Sequence, residues 1–266
     1  MTLGILDWGI GGLGFYQLFR ARFPRSRVVY WSDSGTAPYG KQAPAELTAR
    51  IDVVARAMAA RGVTHLALAC HAASSVLHRL PQNRSGRPEI TGIIEPGVNA
   101  ICALRRPGFV GVMGGRRTIL SGVYRRMLAG LTVRQRIAQP LSAYVEAGDL
   151  DSAALRRDLT AIMSPIQKVD TLLLACTHYP ALAPAIQIHA PQSTIVDPAA
   201  AMLRWIERSW PLGQWNEGAD AFITTGDPKA MRRAASMAFG VKISGRIEKV
   251  RLEPRVRGHS NLRAPR

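Results

Sequence analysis

Two short stretches carry residues able to do chemistry. THLALACHAAS (64–74) ends an apolar run in Cys70 followed by His71, and DTLLLACTHYP (170–180) ends a similar run in Cys176, with His178 two residues on. A thiol has an unperturbed pKa of about 8.5, so it is available as acid or as base near neutrality. Inverting a stereocentre by proton transfer needs a base on one face of the carbon and an acid on the other. The roles exchange in the reverse direction, so two residues of one kind suit the task. Each thiol also needs a neighbour to hold or receive its proton. Asp7, after LGIL, and His178 are placed for that role, one in each half of the chain. A zinc site would need a ligand spacing that two single cysteines and scattered histidines lack, and a redox pair would need Cys-x-x-Cys, so no metal is expected. Cys102 has no such context and is expected to be a buried small hydrophobe.

These residues must be positioned by something, and the chain repeats the elements that do so. LGILDWG (3–9) is echoed by VGVMGGR (110–116), the two cysteine strands echo each other, and GIIEPGVNA (92–100) is echoed by TIVDPAAAM (194–202). Pairing Gly4 with Gly111, Cys70 with Cys176 and Glu95 with Asp197 gives offsets of 107, 106 and 102. The strands are short and continuously apolar, as strands buried on both faces of a parallel sheet are. Between them lie helical spacings. AELTARIDVVARAMAARG (45–62) places Leu47, Ile51, Val54 and Met58 on one stripe and stops at Gly62. Strand then helix, repeated, predicts an α/β fold of two similar parallel-sheet domains, with a ligand site in the cleft beyond the carboxyl ends of the strands. One thiol would then face each side of a shared ligand.

Composition narrows the classes of partner. The 266 residues are 47% hydrophobic and 20% charged, an ordinary globular balance, and no apolar run is long enough to span a membrane. MTLGILDWGIGG lacks a basic leader, and three cysteines are too few for a disulfide framework, so a cytoplasmic protein with reduced thiols is expected. The net charge of +17 raises nucleic acid as a partner. It comes from 30 Arg against 5 Lys spread along the chain, and no Asp or Glu occurs between Glu95 and Glu146. No zinc-finger, aromatic RNA-binding or basic-zipper pattern accompanies it, so the expectation is a solvated basic surface with only weak, charge-driven association. The segment 253–266 reads as a flexible basic tail.

Taken in order, the motifs resemble those of the cofactor-independent glutamate racemases of the aspartate/glutamate racemase superfamily. LDWGIGGLG (6–14) is similar to that family's opening Asp-Ser-Gly-x-Gly-Gly turn, SDSGTAPYG (32–40) to its Pro-Tyr-Gly segment, and ACHAAS (69–74) to its Ala-Cys-Asn-Thr-Ala-Ser. EPG (95–97), TILSGVY (118–124), PLSAYVEAG (140–148), ACTHYP (175–180) and TTGDP (224–228) follow in the family's order, so the resemblance covers about residues 2–252. It implies two α/β domains, 1–96 with 205–252 and 97–204, and a homodimer as one possible assembly. It implies no cofactor, and Cys70 and Cys176 as paired acid and base. Asp7 would support the first thiol and His178 the second, with Glu146 a further helper. Pro38, Tyr39, Gly40, Thr118 and Thr177 match positions that hold the substrate's carboxylates and ammonium. The activity implied is interconversion of L- and D-glutamate, which feeds peptidoglycan synthesis.

Four positions depart from that pattern. Trp8 stands for a serine, His71 for an asparagine, Ala72 for a threonine and Gly115 for a threonine. A hydrogen bond to a charged group contributes on the order of 1.5–3 kcal/mol, so losing several would weaken glutamate binding roughly a thousandfold unless something compensates. His71, as a cation, is the candidate compensator. Trp8 fills space and offers one donor. The alternatives left open are a racemase for a different amino acid, a catalytically silent relative that binds a small ligand, and a basic nucleic-acid-binding protein.

Overall fold

A computed structural model describes residues 1–81, 86–210 and 214–252. In chain order the first elements are β1 (Leu3–Asp7), α1 (Leu13–Arg22), β2 (Val28–Ser32), α2 (Pro44–Ala59), β3 (His65–Leu68), α3 (His71–Ser74), β4 (Glu89–Gly92) and α4 (Ile94–Cys102). The second run is β5 (Val110–Gly114), α5 (Arg116–Leu120), α6 (Val123–Met127), β6 (Val133–Ile137), α7 (Leu141–Ala147), α8 (Ala153–Met163), β7 (Thr171–Ala175), α9 (Ala183–His189), β8 (Thr194–Val196) and α10 (Pro198–Ser209). Last come β9 (Ala221–Thr224), α11 (Pro228–Phe239) and β10 (Ile247–Lys249).

These strands form two wholly parallel sheets. The first has the order β10-β9-β2-β1-β3-β4 and the second β6-β5-β7-β8. Without β9 and β10 the two orders are the same, which is the internal repeat seen as topology. Registers agree: Leu3 pairs with His65 in one sheet and Val110 with Thr171 in the other. Even the strand glycines match. A Cβ on Gly4 would lie 2.7 Å from Val63, and one on Gly111 would lie 2.9 Å from Val169, so both strands need a bare backbone where the entry to the next strand packs over them. β1, β2, β5 and β7 are buried at every residue, consistent with helices on both faces.

The repeat is less regular at its third element. His65 pairs with Glu89 and Thr171 with Thr194, so the register sets Gly92, not Glu95, opposite Asp197 in the repeat. Asp197 caps α10, accepting from the Ala199 N–H at 2.9 Å, whereas Glu95 lies inside the first turn of α4. Asp227 caps α11 in the same way as Asp197, each followed by a proline whose missing N–H costs the first turn nothing. The α2 stripe of Leu47, Ile51, Val54 and Met58 is buried as the spacing predicts, and Gly62 beyond it takes a φ of +84°. Cys102 corrects an expectation: at the end of α4 it is exposed. α10 packs on both α1 and α4 and draws the two halves into one core, in which Phe15 and Phe19 share a cluster with Met202 and Ile206. The basic tail 253–266 lies outside the described residues.

Candidate active site

The carboxyl ends of the central strands of both sheets open on one cavity of about 390 Å³. Cys70 follows β3 and Cys176 follows β7, and both line it. Trp8, Pro38, Tyr39, Gly40, His71 and Ala72 line it from the first sheet's loops, and Thr118, Thr177 and His178 from the second's. Asp7 and Glu146 do not line the cavity but stand behind those that do.

The second-half group is a hydrogen-bonded chain. Cys176 Sγ lies 3.7 Å from His178 Nδ1, and His178 Nε2 lies 2.5 Å from Glu146 Oε1. Burial alone would lower the His178 imidazolium. The hydrogen bonds to Cys176 and Glu146, with their negative charges, outweigh it and hold the imidazolium well above its ordinary pKa. Glu146 sits in the last turn of α7, and its Oε1 also accepts from the backbone N–H of Ile10 at 2.7 Å.

The first-half group differs. Burial pushes the Cys70 thiol well above its ordinary pKa, and the carboxylate of Asp7 pushes it further; the N–H groups of Ala73 and Ala72 at the start of α3 oppose this. Asp7 is fully buried. Its Oδ2 accepts from the Gly12 N–H at 3.1 Å and the Gly9 N–H at 3.4 Å, and its Oδ1 from Thr177 Oγ1 at 3.1 Å. Asp7 therefore reaches across to the second half through Thr177. The glycine turn that wraps it touches the second half as well: a Cβ on Gly11 would lie 2.4 Å from Thr177 Oγ1 and 2.8 Å from His178 Nδ1.

The segment around Pro38 and Tyr39 is held from beneath by a network that sequence reasoning missed. Asp33, fully buried, accepts from Arg50 Nε at 2.8 Å and Nη2 at 2.6 Å, from Tyr39 Oη at 2.7 Å and from Thr225 Oγ1 at 3.0 Å. A buried bidentate ion pair with its remaining lone pairs satisfied is a rigid support. Its partners come from three separate segments, and no local spacing announces such a set. Lys41, Gln139 and Ser142 also line the cavity and were not anticipated.

All four departures acquire a definite geometry. Trp8 Nε1 donates to the Thr36 carbonyl at 3.1 Å, so its one donor is engaged with the protein's own backbone. Ala72 and Gly115 leave apolar surface on the wall. His71 is 2% exposed, with neither ring nitrogen partnered among the described residues, and burial pushes its pKa down to about 3. The expectation of a His71 cation is therefore corrected: the imidazole is neutral at physiological pH because no acid is near enough to repay the desolvation of its charge. Its neighbour is the ring of Tyr124, centroids 6.1 Å apart, whose hydroxyl is likewise buried and unpartnered among the described residues.

Comparison with known proteins gives a consistent result. The Asp/Glu/hydantoin racemase family pattern matches residues 13–206. The chain is 32% identical over 269 residues to the glutamate racemase of Mycobacterium leprae, covering 97% of this chain and 98% of that protein. It is 33% identical over 252 residues to that of Pseudomonas entomophila, covering 89% and 93%. Among solved structures, a glutamate racemase isoform from Bacillus anthracis superposes with a TM-score of 0.84 at 26% identity, covering 94% of this chain and 97% of that one. The glutamate racemase of Thermus thermophilus, solved with β-chloro-D-alanine, gives 0.82 at 28% identity with the same coverage.

Proposed function

The chain belongs to the Asp/Glu/hydantoin racemase family, and from that premise we propose that it interconverts L- and D-glutamate by proton transfer between two thiols. The observation that carries this is the pairing of Cys70 and Cys176 on one cavity, at matching strand ends of two sheets with one topology. In the proposed reaction the Cα–H bond breaks and its proton forms an S–H bond on one cysteine. The electron pair left behind delocalises into the α-carboxylate, and the S–H proton of the other cysteine then goes to the opposite face. The two thiols have unequal surroundings. Cys176 lies 3.7 Å from His178 Nδ1, which can take up or return its proton, whereas burial beside Asp7 favours Cys70 as the thiol and acid. Glu146 orients His178, and Asp7 holds Thr177 and the glycine turn. In this reading residues 1–96 with 205–252 form one catalytic lobe of the chain and 97–204 the other, a homodimer is one possible assembly, and the product serves peptidoglycan synthesis in the cytoplasm. The exposed Arg105, Arg106, Arg125 and Arg126 are solvated surface that binds nucleic acid only weakly and at low salt. Among the described residues no helix is long and apolar enough to cross a membrane.

A second reading, racemisation of a different amino acid, is favoured by one observation: Trp8, with its donor engaged, stands where the resembling family carries a serine. Solvent deuterium incorporation at Cα separates the two. In D2O the protein should exchange the α-proton of glutamate faster than that of other amino acids. Exchange confined to another amino acid would move the substrate, and no exchange with any would sink the enzyme reading.

A further inference from the structure

The two lobes touch at two places around the cavity, and the contacts differ in what parting them would expose. At the first, Thr177 Oγ1 donates to the fully buried Asp7 at 3.1 Å, and the Ile10 N–H donates to Glu146 at 2.7 Å. Parting the lobes there would strand a buried carboxylate, which is costly. At the second, Arg117 of α5 donates to the Gln42 carbonyl from Nε at 3.2 Å and from Nη2 at 2.9 Å. Arg117 and Gln42 are both half-buried, so a released guanidinium passes into water and strands no charge. The second contact is therefore the one that opens at least cost.

Neither Arg117 nor Gln42 lines the cavity, but each is joined to residues that do. Arg117 stands between Gly115 and Thr118, and Gln42 directly follows the lining segment 38–41. Gln42 is a firm post, because its Nε2 donates back to the Ala37 carbonyl at 2.6 Å and closes the loop on itself. Beside it the lobes are pressed together: a Cβ on Gly40 would come within 2.4 Å of Gln139 Oε1, which accepts from the Arg116 N–H at 2.9 Å. Behind this contact Cys70 is only 8% exposed. We infer that Arg117 gates the cavity: it is a positioning residue whose release from Gln42 lets the lobes part and admits small molecules to Cys70 and Cys176. The role of this gate in turnover rests on the amino-acid racemase reading, whereas its existence is tested by thiol access alone.

Pulse alkylation of the full chain with iodoacetamide, mapped by mass spectrometry, reads access at each thiol, and the exposed Cys102 serves as internal standard. In Arg117→Leu, alkylation of Cys70 and Cys176 should speed up about tenfold relative to Cys102, as for one lost charge-assisted hydrogen bond. The ratio of variant to wild type should be the same at pH 7 and pH 9, because access changes and ionisation does not. Arg117→Lys keeps a cation without the planar fork and should fall between the two. Arg136→Leu is the matched control. Its guanidinium likewise holds carbonyls, of Ile162 at 3.1 Å and Ala161 at 3.2 Å, but within one lobe, so its loss should leave both rates unchanged. Unchanged rates at Cys70 and Cys176 in Arg117→Leu, or an equal rise in Arg136→Leu, would overturn the gate. Saturating D-glutamate should protect both thiols in wild type. If Arg117→Leu speeds alkylation but D-glutamate protects neither thiol, the gate stands and the glutamate reading falls.

Discussion

Glu146, near the end of α7, accepts a hydrogen bond from the backbone N–H of Ile10, 136 residues earlier, on the same oxygen that meets His178. One carboxylate oxygen therefore sets the protonation of the second-half histidine and pins the first-half glycine turn against it. Altering this residue should change both the pH dependence of catalysis and the fit of the two halves.

Glu146→Gln keeps the shape and removes the charge. His178 is held well above its ordinary pKa, so the stability it contributes is full below the unfolded value of about 6.5 and is lost as pH rises through the raised folded value. Without the carboxylate that upper value falls. The alkaline limb of the kcat profile should move to lower pH, and kcat at its optimum should drop on the order of a hundredfold. A profile that keeps its position would show that Glu146 does not tune His178.

Cys70→Ser and Cys176→Ser should each lower racemisation by at least about a thousandfold, followed by the decay of optical rotation from pure D-glutamate. A hydroxyl offers almost no anion near neutrality, so neither variant can complete both proton transfers. Binding of glutamate should persist in both, because the substitution removes an acid–base group and little volume. A serine variant that racemises at a tenth of the wild-type rate would refute the two-thiol scheme.

Gly11→Ala and Gly14→Ala form a matched pair. The new methyl at residue 11 meets Thr177 and His178 at impossible distances, and His178 must give way. That change should cost at least tenfold in kcat through a displaced imidazole. At residue 14, inside α1, the nearest atoms are 3.7 Å away in Phe239, so the methyl fits and should stabilise the helix by about 0.5–1 kcal/mol. Equal effects of the two substitutions on activity would mean that the turn is not a close contact in solution.

His71→Asn addresses a group whose folded pKa is depressed to about 3. Between that value and about 6.5 the unfolded chain binds a proton that the folded chain refuses, so stability is full above this window and falls as pH drops through it. The loss should be on the order of a few kcal/mol between pH 7 and pH 4. Urea midpoints for His71→Asn should therefore differ less between these pH values than those of wild type. If the variant loses as much on acidification as wild type, His71 is charged or solvated in the folded protein.

The two cysteine strands and the α2 stripe were readable because each depends on neighbours within a few residues. The register of the third repeat was not. Gly92 and Asp197 occupy matching strand positions, but α4 takes the acid into its first turn whereas α10 uses it as a cap, and spacing alone cannot tell these apart. The Asp33 network and the lining residues Lys41 and Gln139 were missed for a shared reason. Their partners are distant in the chain, and a lysine beside a Pro-Tyr-Gly segment looks the same whether it faces water or a cavity. His71 was placed rightly on the wall but given the wrong charge, because burial, not residue type, decides its protonation.

The position of β9 has a consequence for synthesis on the ribosome. β5 to β8 come from one continuous stretch of chain, so the smaller sheet has all its strands once β8 emerges. The larger sheet does not: β2 gains its outer neighbour only when Ala221 reaches Val29, nearly two hundred residues later. For that interval the N-terminal portion has a bare edge, VVYWS, whose every residue is buried in the finished fold, and unpaired edges invite pairing with other chains. The last-made segment thus covers a vulnerability created by the first, and truncation before β9 should give an aggregating product even though every residue lining the cavity has already been made.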